Sequence, residues 1–258
     1  MHTWHWHNWE GLPYLTCNLL ELWPHGFFTQ QFWPRLPHEL TKVLQPEALA
    51  YRLKQVHGNT VLTPQEVDRH LLTSDDNLAL ADGLISERPL QAIWVASADC
   101  TPVLIGDVEI GQVAALHAGW RGTAAKIVPQ AINRMQSQGS KLENLRIAMG
   151  PAITGEVYQV SVEVAAEIGR TIIPHDESGR IVNALHGLPD SPLFADPEPG
   201  KVRLDVRRVN ALQLEQLGIG EEQVAITPYC TYQTPEHFFS YRRDKEKKVQ
   251  WSGIVSLS

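Results

Sequence analysis

Hydrophobic and polar positions change period several times along the chain, and each change marks an element. The first run, Trp4-His5-Trp6-His7-Asn8-Trp9, alternates tryptophan with polar residues. Period two predicts a strand with one aromatic face. Glu10-Gly11 reads as a turn into a second strand over 13–17, with His5 and His7 exposed opposite Trp4 and Trp6. Such a pair is also placed to pick up metal adventitiously. Residues 23–50, rich in Pro, Trp and Phe, read as a packed, irregular layer. A strand over 51–56 breaks at His57-Gly58-Asn59. Further strand signals fall at 61–62, 92–96, 103–105, 112–116, 145–149, 202–204, 224–226 and 248–255.

Helical spacing governs 122–138, with apolar residues at Ala124, Ile127, Val128, Ala131, Ile132 and Met135. Pro129 lies inside that run and predicts a kink or a later start. Residues 160–172 and 206–217 also read as helices, the second ended by Gly218. The segment 185–200 is proline-rich and reads as a loop. Several strands follow one another directly instead of alternating with helices. The expected fold class is α/β: a single-domain layered sandwich over 1–258, with a mixed sheet and helices outside it.

Composition narrows the function classes. The net charge is −7, and the one dense basic run, Lys245, Lys247 and Lys248, is diluted by Asp244 and Glu246. That argues against a surface tracking nucleic-acid phosphates. Three widely spaced cysteines, Cys17, Cys100 and Cys230, make no disulfide framework and point to a reducing compartment. No basic-then-apolar leader pattern is visible. No apolar stretch reaches the roughly 18 residues of a membrane helix. The expectation is a cytoplasmic protein without membrane or nucleic-acid partners; oligomeric state is open.

Three segments end apolar runs on reactive side chains: Gln55-Val56-His57-Gly58, Ala98-Asp99-Cys100-Thr101 and Leu116-His117-Ala118-Gly119. Strand ends are where α/β folds place ligands. One thiol and two imidazoles make a zinc set with a fourth position open for catalysis. No short metal motif spans them, however. A buried Cys is by default a small hydrophobe, and a lone His more often serves structure.

The strings QVHGN (55–59), SADCTP (97–102), HAGWRGT (117–123), MGPAI (149–153) and FFSYRRD (238–244) resemble a family first described as laccase-domain polyphenol oxidoreductases. Its members were later described as purine nucleoside phosphorylases with adenosine deaminase and methylthioadenosine phosphorylase activity, and some bacterial ones as peptidoglycan editing factors. The resemblance implies a four-layer α/β fold related to cysteine-hydrolase-like toxin domains. It implies zinc, with copper as the alternative, held by His57, Cys100 and His117, and purine nucleosides and phosphate as partners. The chain departs from the family pattern in three places. Phe27-Phe28 is followed by Thr29-Gln30-Gln31-Phe32 where an Arg and a Gly pair are usual. Tyr158 lacks the Cys that commonly precedes it. Lys247-Lys248-Val249 stands where Thr-Gly-Arg is frequent.

Beyond the triad, Arg121 is a phosphate ligand or the partner of Asp99 or another carboxylate. Asp99 is a general base, an acceptor behind a metal-bound His, or a cap on its own turn. The Gly119–Gly122 turn opens a helix whose N-terminus attracts anions, and Gly150 adds a backbone donor or merely ends a strand. Arg242 and Arg243 bind substrate oxygens or lock the last strand. Tyr241 and Phe239 stack on a base or pack in the core, and Cys230 is buried wall.

A multicopper oxidase is set aside, because that cluster needs several His-x-His pairs and this chain has one, at His5 and His7. Two other readings compete with the purine enzyme. One is a cysteine or zinc amidohydrolase in peptidoglycan precursor editing, with Cys100 as nucleophile and His117 as base. The other is a non-catalytic metal- or nucleotide-binding module.

Overall fold

The computed structural model describes residues 2–73 and 78–257. Its strands are β1 (Trp4–Trp9), β2 (Leu12–Cys17), β3 (His25–Phe28), β4 (Leu49–Tyr51), β5 (Val61–Leu62), β6 (Gly83–Ile85), β7 (Gln91–Ser97), β8 (Thr101–Asp107), β9 (Val113–Ala118), β10 (Leu145–Met149), β11 (Gln159–Ser161), β12 (Leu193–Ala195), β13 (Lys201–Leu204), β14 (Val224–Ile226) and β15 (Gln250–Val255). The helices are α1 (Pro37–Leu44), α2 (Pro64–Thr73), α3 (Trp120–Ala124), α4 (Ile127–Ser137), α5 (Val162–Gly169), α6 (Ser178–His186), α7 (Val206–Gln216) and α8 (Tyr241–Asp244).

Where one mixed sheet was expected, there are two, plus a small third. The first runs β1-β2-β3-β15-β7-β4 and the second β14-β10-β8-β9-β6-β5, with β11-β13-β12 separate. Both large sheets are mixed. The pairs β4–β7, β5–β6 and β10–β14 are parallel and the other pairings are antiparallel.

The period-two pattern explains the layers. Ile93 and Val95 of β7 meet Leu104, Val113 and Ala115 of the second sheet in one core between the sheets. The intervening residues face outward. Trp94 packs with Leu40 of α1 on one side. Ala114 and Leu116 pack under Ile127, Ala131 and Ile132 of α4 on the other. Strands buried on both faces read as continuous apolar runs, so the sequence pattern does not show how many sheets they form. His117 shares the face of Val113 and Ala115, which aims it into the layer between the sheets.

The turn of the first hairpin has the chemistry its sequence predicts. Glu10 and Gly11 both have positive φ, 50° and 86°, as a two-residue hairpin turn requires.

Other expectations change. Residues 23–50 are not irregular: they hold β3 and α1. The 51–56 strand ends at Tyr51, and beyond it Lys54 makes only an isolated bridge to Leu80. The 122–138 helix is two helices, α3 and α4, divided at Lys126, whose φ is 58°. Pro129 is the third residue of α4, where no backbone donor is needed. The 160–172 helix shortens to α5, with β11 before it and the Ser161 hydroxyl accepting from the Val164 N–H as its cap. The proline-rich 185–200 segment contains β12 and the end of α6.

Candidate functional site

The β8–β9 register pairs Thr101 with Ala118 and Pro102 with His117. Cys100, one residue before β8, therefore arrives at the same end of the sheet as His117. His57 comes from elsewhere in the chain, and one buried carboxylate brings it in. Asp82 is fully buried. It accepts from the backbone N–H groups of Val56, His57 and Gly58 at 3.2, 2.9 and 2.7 Å. The same carboxylate accepts from His117 Nδ1 at 2.9 Å. It thus shapes the 56–58 turn, with His57 at φ 62°, and fixes the His117 ring with Nε2 turned towards Cys100.

The ligand atoms of His57, Cys100 and His117 lie within 4.8 Å of one another, and the two imidazole rings stand edge to face at 4.9 Å. His57 is exposed, Cys100 half-buried and His117 buried. The glycines of HAGWRGT make room for this approach. A Cβ at Gly119 would lie 2.7 Å from Cys100 Sγ, and one at Gly122 2.8 Å from the Gly58 carbonyl.

Electrostatics follow from the crowding. Burial by itself raises the Cys100 thiol, but the His117 and His57 rings outweigh it and bring the group down to about 6. Burial lowers His117, while Cys100 and Asp82 outweigh that and raise it to about 9. Both shifts favour a thiolate beside an imidazolium. Burial also raises Asp82, yet His117 and the turn's N–H groups hold it below the usual carboxylate range.

These residues sit in a cavity of about 720 Å³, whose walls include Gln55, Trp120, Arg121, Tyr158, Tyr241 and Arg242. Arg121 makes no ion pair among the described residues and stacks on the Trp120 ring at 4.4 Å. The expected Asp99 partnership is absent. Arg242 stacks on Tyr158 at 4.7 Å and donates from Nη1 to the Gln159 carbonyl at 2.9 Å. The Tyr158 hydroxyl is pushed up to about 12, first by burial and then by the Cys100 charge.

Asp99 also lines the cavity, but does not back a histidine or cap its own turn. Its carboxylate accepts from the Thr231 hydroxyl at 2.7 Å and from the Arg242 N–H at 2.6 Å. The acceptor behind His117 is Asp82. Sequence reasoning missed Asp82, although an acid inside the run Leu78-Ala79-Leu80-Ala81-Asp82-Gly83-Leu84-Ile85 was a signal, since buried acids need partners.

The remaining expectations divide. Arg243 is structural: it donates to the Thr231, Tyr232 and Phe238 carbonyls and pairs with Asp244 at 2.8 Å. Tyr241 is exposed at the cavity, whereas Phe239 packs edge-on against Trp33 at 6.0 Å. Cys230 is buried but is not part of the cavity wall; its sulfur accepts from the Thr154 N–H at 3.4 Å. The Gly150 N–H is engaged by the Pro102 carbonyl, so it offers no free donor. At the altered early motif, Thr29 donates to the Pro13 carbonyl and Gln30 to that of Pro235. No helix among the described residues is long and apolar enough to cross a membrane.

A purine nucleoside phosphorylase of Synechocystis sp. is 52% identical to this chain over 256 residues, covering 98% of this chain and 97% of that one. A protein named adenosine deaminase, from an unknown prokaryotic organism, is 29% identical over 192 residues, covering 74% and 68%. The crystal structure of YlmD from Geobacillus stearothermophilus superposes with a TM-score of 0.80 at 23% identity, covering 98% of this chain and 99% of that one. It shows the same mixed α/β fold. A family model described as multi-copper polyphenol oxidoreductase laccase matches residues 38–257. The chain therefore belongs to that laccase-like family, which its sequence motifs had already suggested.

Proposed function

We propose that the chain is a zinc-dependent purine nucleoside phosphorylase that also deaminates adenosine and phosphorolyses methylthioadenosine. The observation that carries this reading is the convergence of His57, Cys100 and His117 within 4.8 Å beside a large cavity. The relatives named purine nucleoside phosphorylase and adenosine deaminase agree with it.

The donor set fits zinc: one thiolate and two imidazoles, with Asp82 behind His117 as carboxylates commonly stand behind zinc-bound histidines. Copper is the alternative. Bound there, the ion would supply Lewis-acid polarisation to an oxygen at the open position. The chain's own residues do the rest. Arg121, with no ion pair among the described residues, offers a two-pronged grip to phosphate. Arg242, which lines the same cavity, supports it. Asp99 acts as a positioning residue, fixing the backbone at Arg242. Trp120 and Tyr158, each with an arginine over its ring, line the cavity and offer aromatic surface to a purine. In phosphorolysis a phosphate oxygen bonds to ribose C1′, and the glycosidic bond electrons leave with the base. In deamination a water oxygen bonds to C6, and ammonia leaves.

A specific observation favours a second reading. Cys100, His117 and Asp82 also form a thiolate, an imidazolium and a buried carboxylate in sequence, the arrangement of a cysteine hydrolase. The substrates would then be amides, including cell-wall precursors.

Turnover of adenosine, inosine and methylthioadenosine by zinc-loaded protein separates the two. Phosphate-dependent release of free base, with inosine and ammonia from adenosine, is expected, and Cys100→Ala should lose both. No turnover by folded, metal-replete protein would overturn the purine reading in favour of amide substrates.

A further inference from the structure

The cavity carries more positive charge than one phosphate needs. Arg121, Arg242, Lys245, Lys247 and Lys248 line it, in a chain whose net charge is −7. The acids on the same wall are already engaged. Glu246 pairs with Lys248 at 2.7 Å, and Asp99 accepts from Thr231 and from the Arg242 N–H. With a phosphate between Arg121 and Arg242, two cations remain on the segment joining α8 to β15. The Lys245 ammonium lies over the Tyr241 ring at 5.6 Å and makes no ion pair among the described residues. Lys247 makes no ion pair or hydrogen bond with any described residue.

That segment is built into the wall. Lys245 turns the chain at φ 59°, and residues 245–249 all line the cavity. The volume of about 720 Å³ lies well inside the range of pockets that enclose drug-sized ligands, larger than a bare nucleoside. Ammonium groups without protein partners at the edge of a cavity recognise anions.

We infer that the 245–249 segment is a second anion site, which selects a purine nucleoside carrying a phosphate ester over the bare nucleoside. The inference rests on the purine reading and names its substrate class.

The test compares adenosine 5′-monophosphate with adenosine, with and without inorganic phosphate. It uses the full zinc-loaded chain, Lys247→Met and Lys247→Arg. Binding of both compounds to Cys100→Ala protein is measured alongside. The ratio of kcat/KM for the monophosphate to that for adenosine should exceed about tenfold. It should fall about tenfold in Lys247→Met, recover in Lys247→Arg and shrink as salt rises. A ratio at or below one, or a ratio that Lys247→Met leaves unmoved, overturns the inference while the nucleoside reading stands. So does a raised KM for inorganic phosphate alone, which would place free phosphate at Lys247. If neither compound turns over but the monophosphate binds more tightly in a Lys247-dependent way, the purine reaction fails and the anion site stands.

Discussion

Asp82 shows how one side chain can set a site that it does not itself enter. Three backbone donors and one imidazole converge on its carboxylate, which is sealed from water. Asp82→Asn keeps the size but replaces one acceptor oxygen with an amide that faces donors. Each carboxylate oxygen serves two donors, so two hydrogen bonds are lost and the 56–58 turn loosens. The expected outcome is a 10- to 100-fold loss of zinc affinity, of the order seen when partners behind metal ligands are removed. Competition with a chromophoric chelator measures it, and affinity equal to wild type would show that the turn holds itself. The residue was hard to read from sequence because its four partners come from two distant segments. Cys100 and His117 were easier, since each stands at the end of an apolar run.

At the element scale, the β2–β3 connection contains a built-in acid sensitivity. His25 is buried, with Nδ1 donating to the Trp23 carbonyl at 2.8 Å and Nε2 accepting from the Cys17 N–H at 2.9 Å. A neutral imidazole satisfies both contacts, and a protonated one cannot accept. Burial, chiefly, lowers the group to about 4. The unfolded chain binds this proton below about pH 6.5 while the folded chain does not, so stability falls as pH drops from about 6.5 towards 4. Urea unfolding should show a loss of about 2 kcal/mol between pH 7.5 and pH 5 from this residue. The fall should flatten in His25→Gln; a slope unchanged in that variant would assign the sensitivity to other groups. The 23–50 segment that holds His25 looked irregular because prolines and aromatics interrupt its period. Its strand and helix are ordered by packing against Trp94 and Trp251, which lie far along the chain.

Across the whole molecule, the three proposed ligands tie together a turn, a strand connection and a strand end. An ion bound to them stabilises the folded state by an amount that grows with the logarithm of its affinity and concentration. Adding zinc to metal-stripped protein should therefore raise the melting temperature, and Cys100→Ala should abolish most of the rise. That variant keeps His5 and His7, which are exposed on one face of β1. A rise that survives in it would point to the hairpin instead of the cavity.

The sequence by itself determined the strongly patterned local elements and the chemistry available to them. Alternation marked the first hairpin, apolar runs marked β7 to β10, and the spacing of α4 showed which face it buries. It also determined the family, because motifs such as HAGWRGT combine glycines and ligands in an order that few folds require. Tertiary structure alone decided that the strands form two facing sheets, since a strand buried on both sides carries no mark of its neighbours. It also decided which of two nearby acids stands behind His117. Asp82 and Asp99 are alike as residues, and long-range packing, which no local pattern encodes, sends one to the imidazole and the other to Thr231 and Arg242.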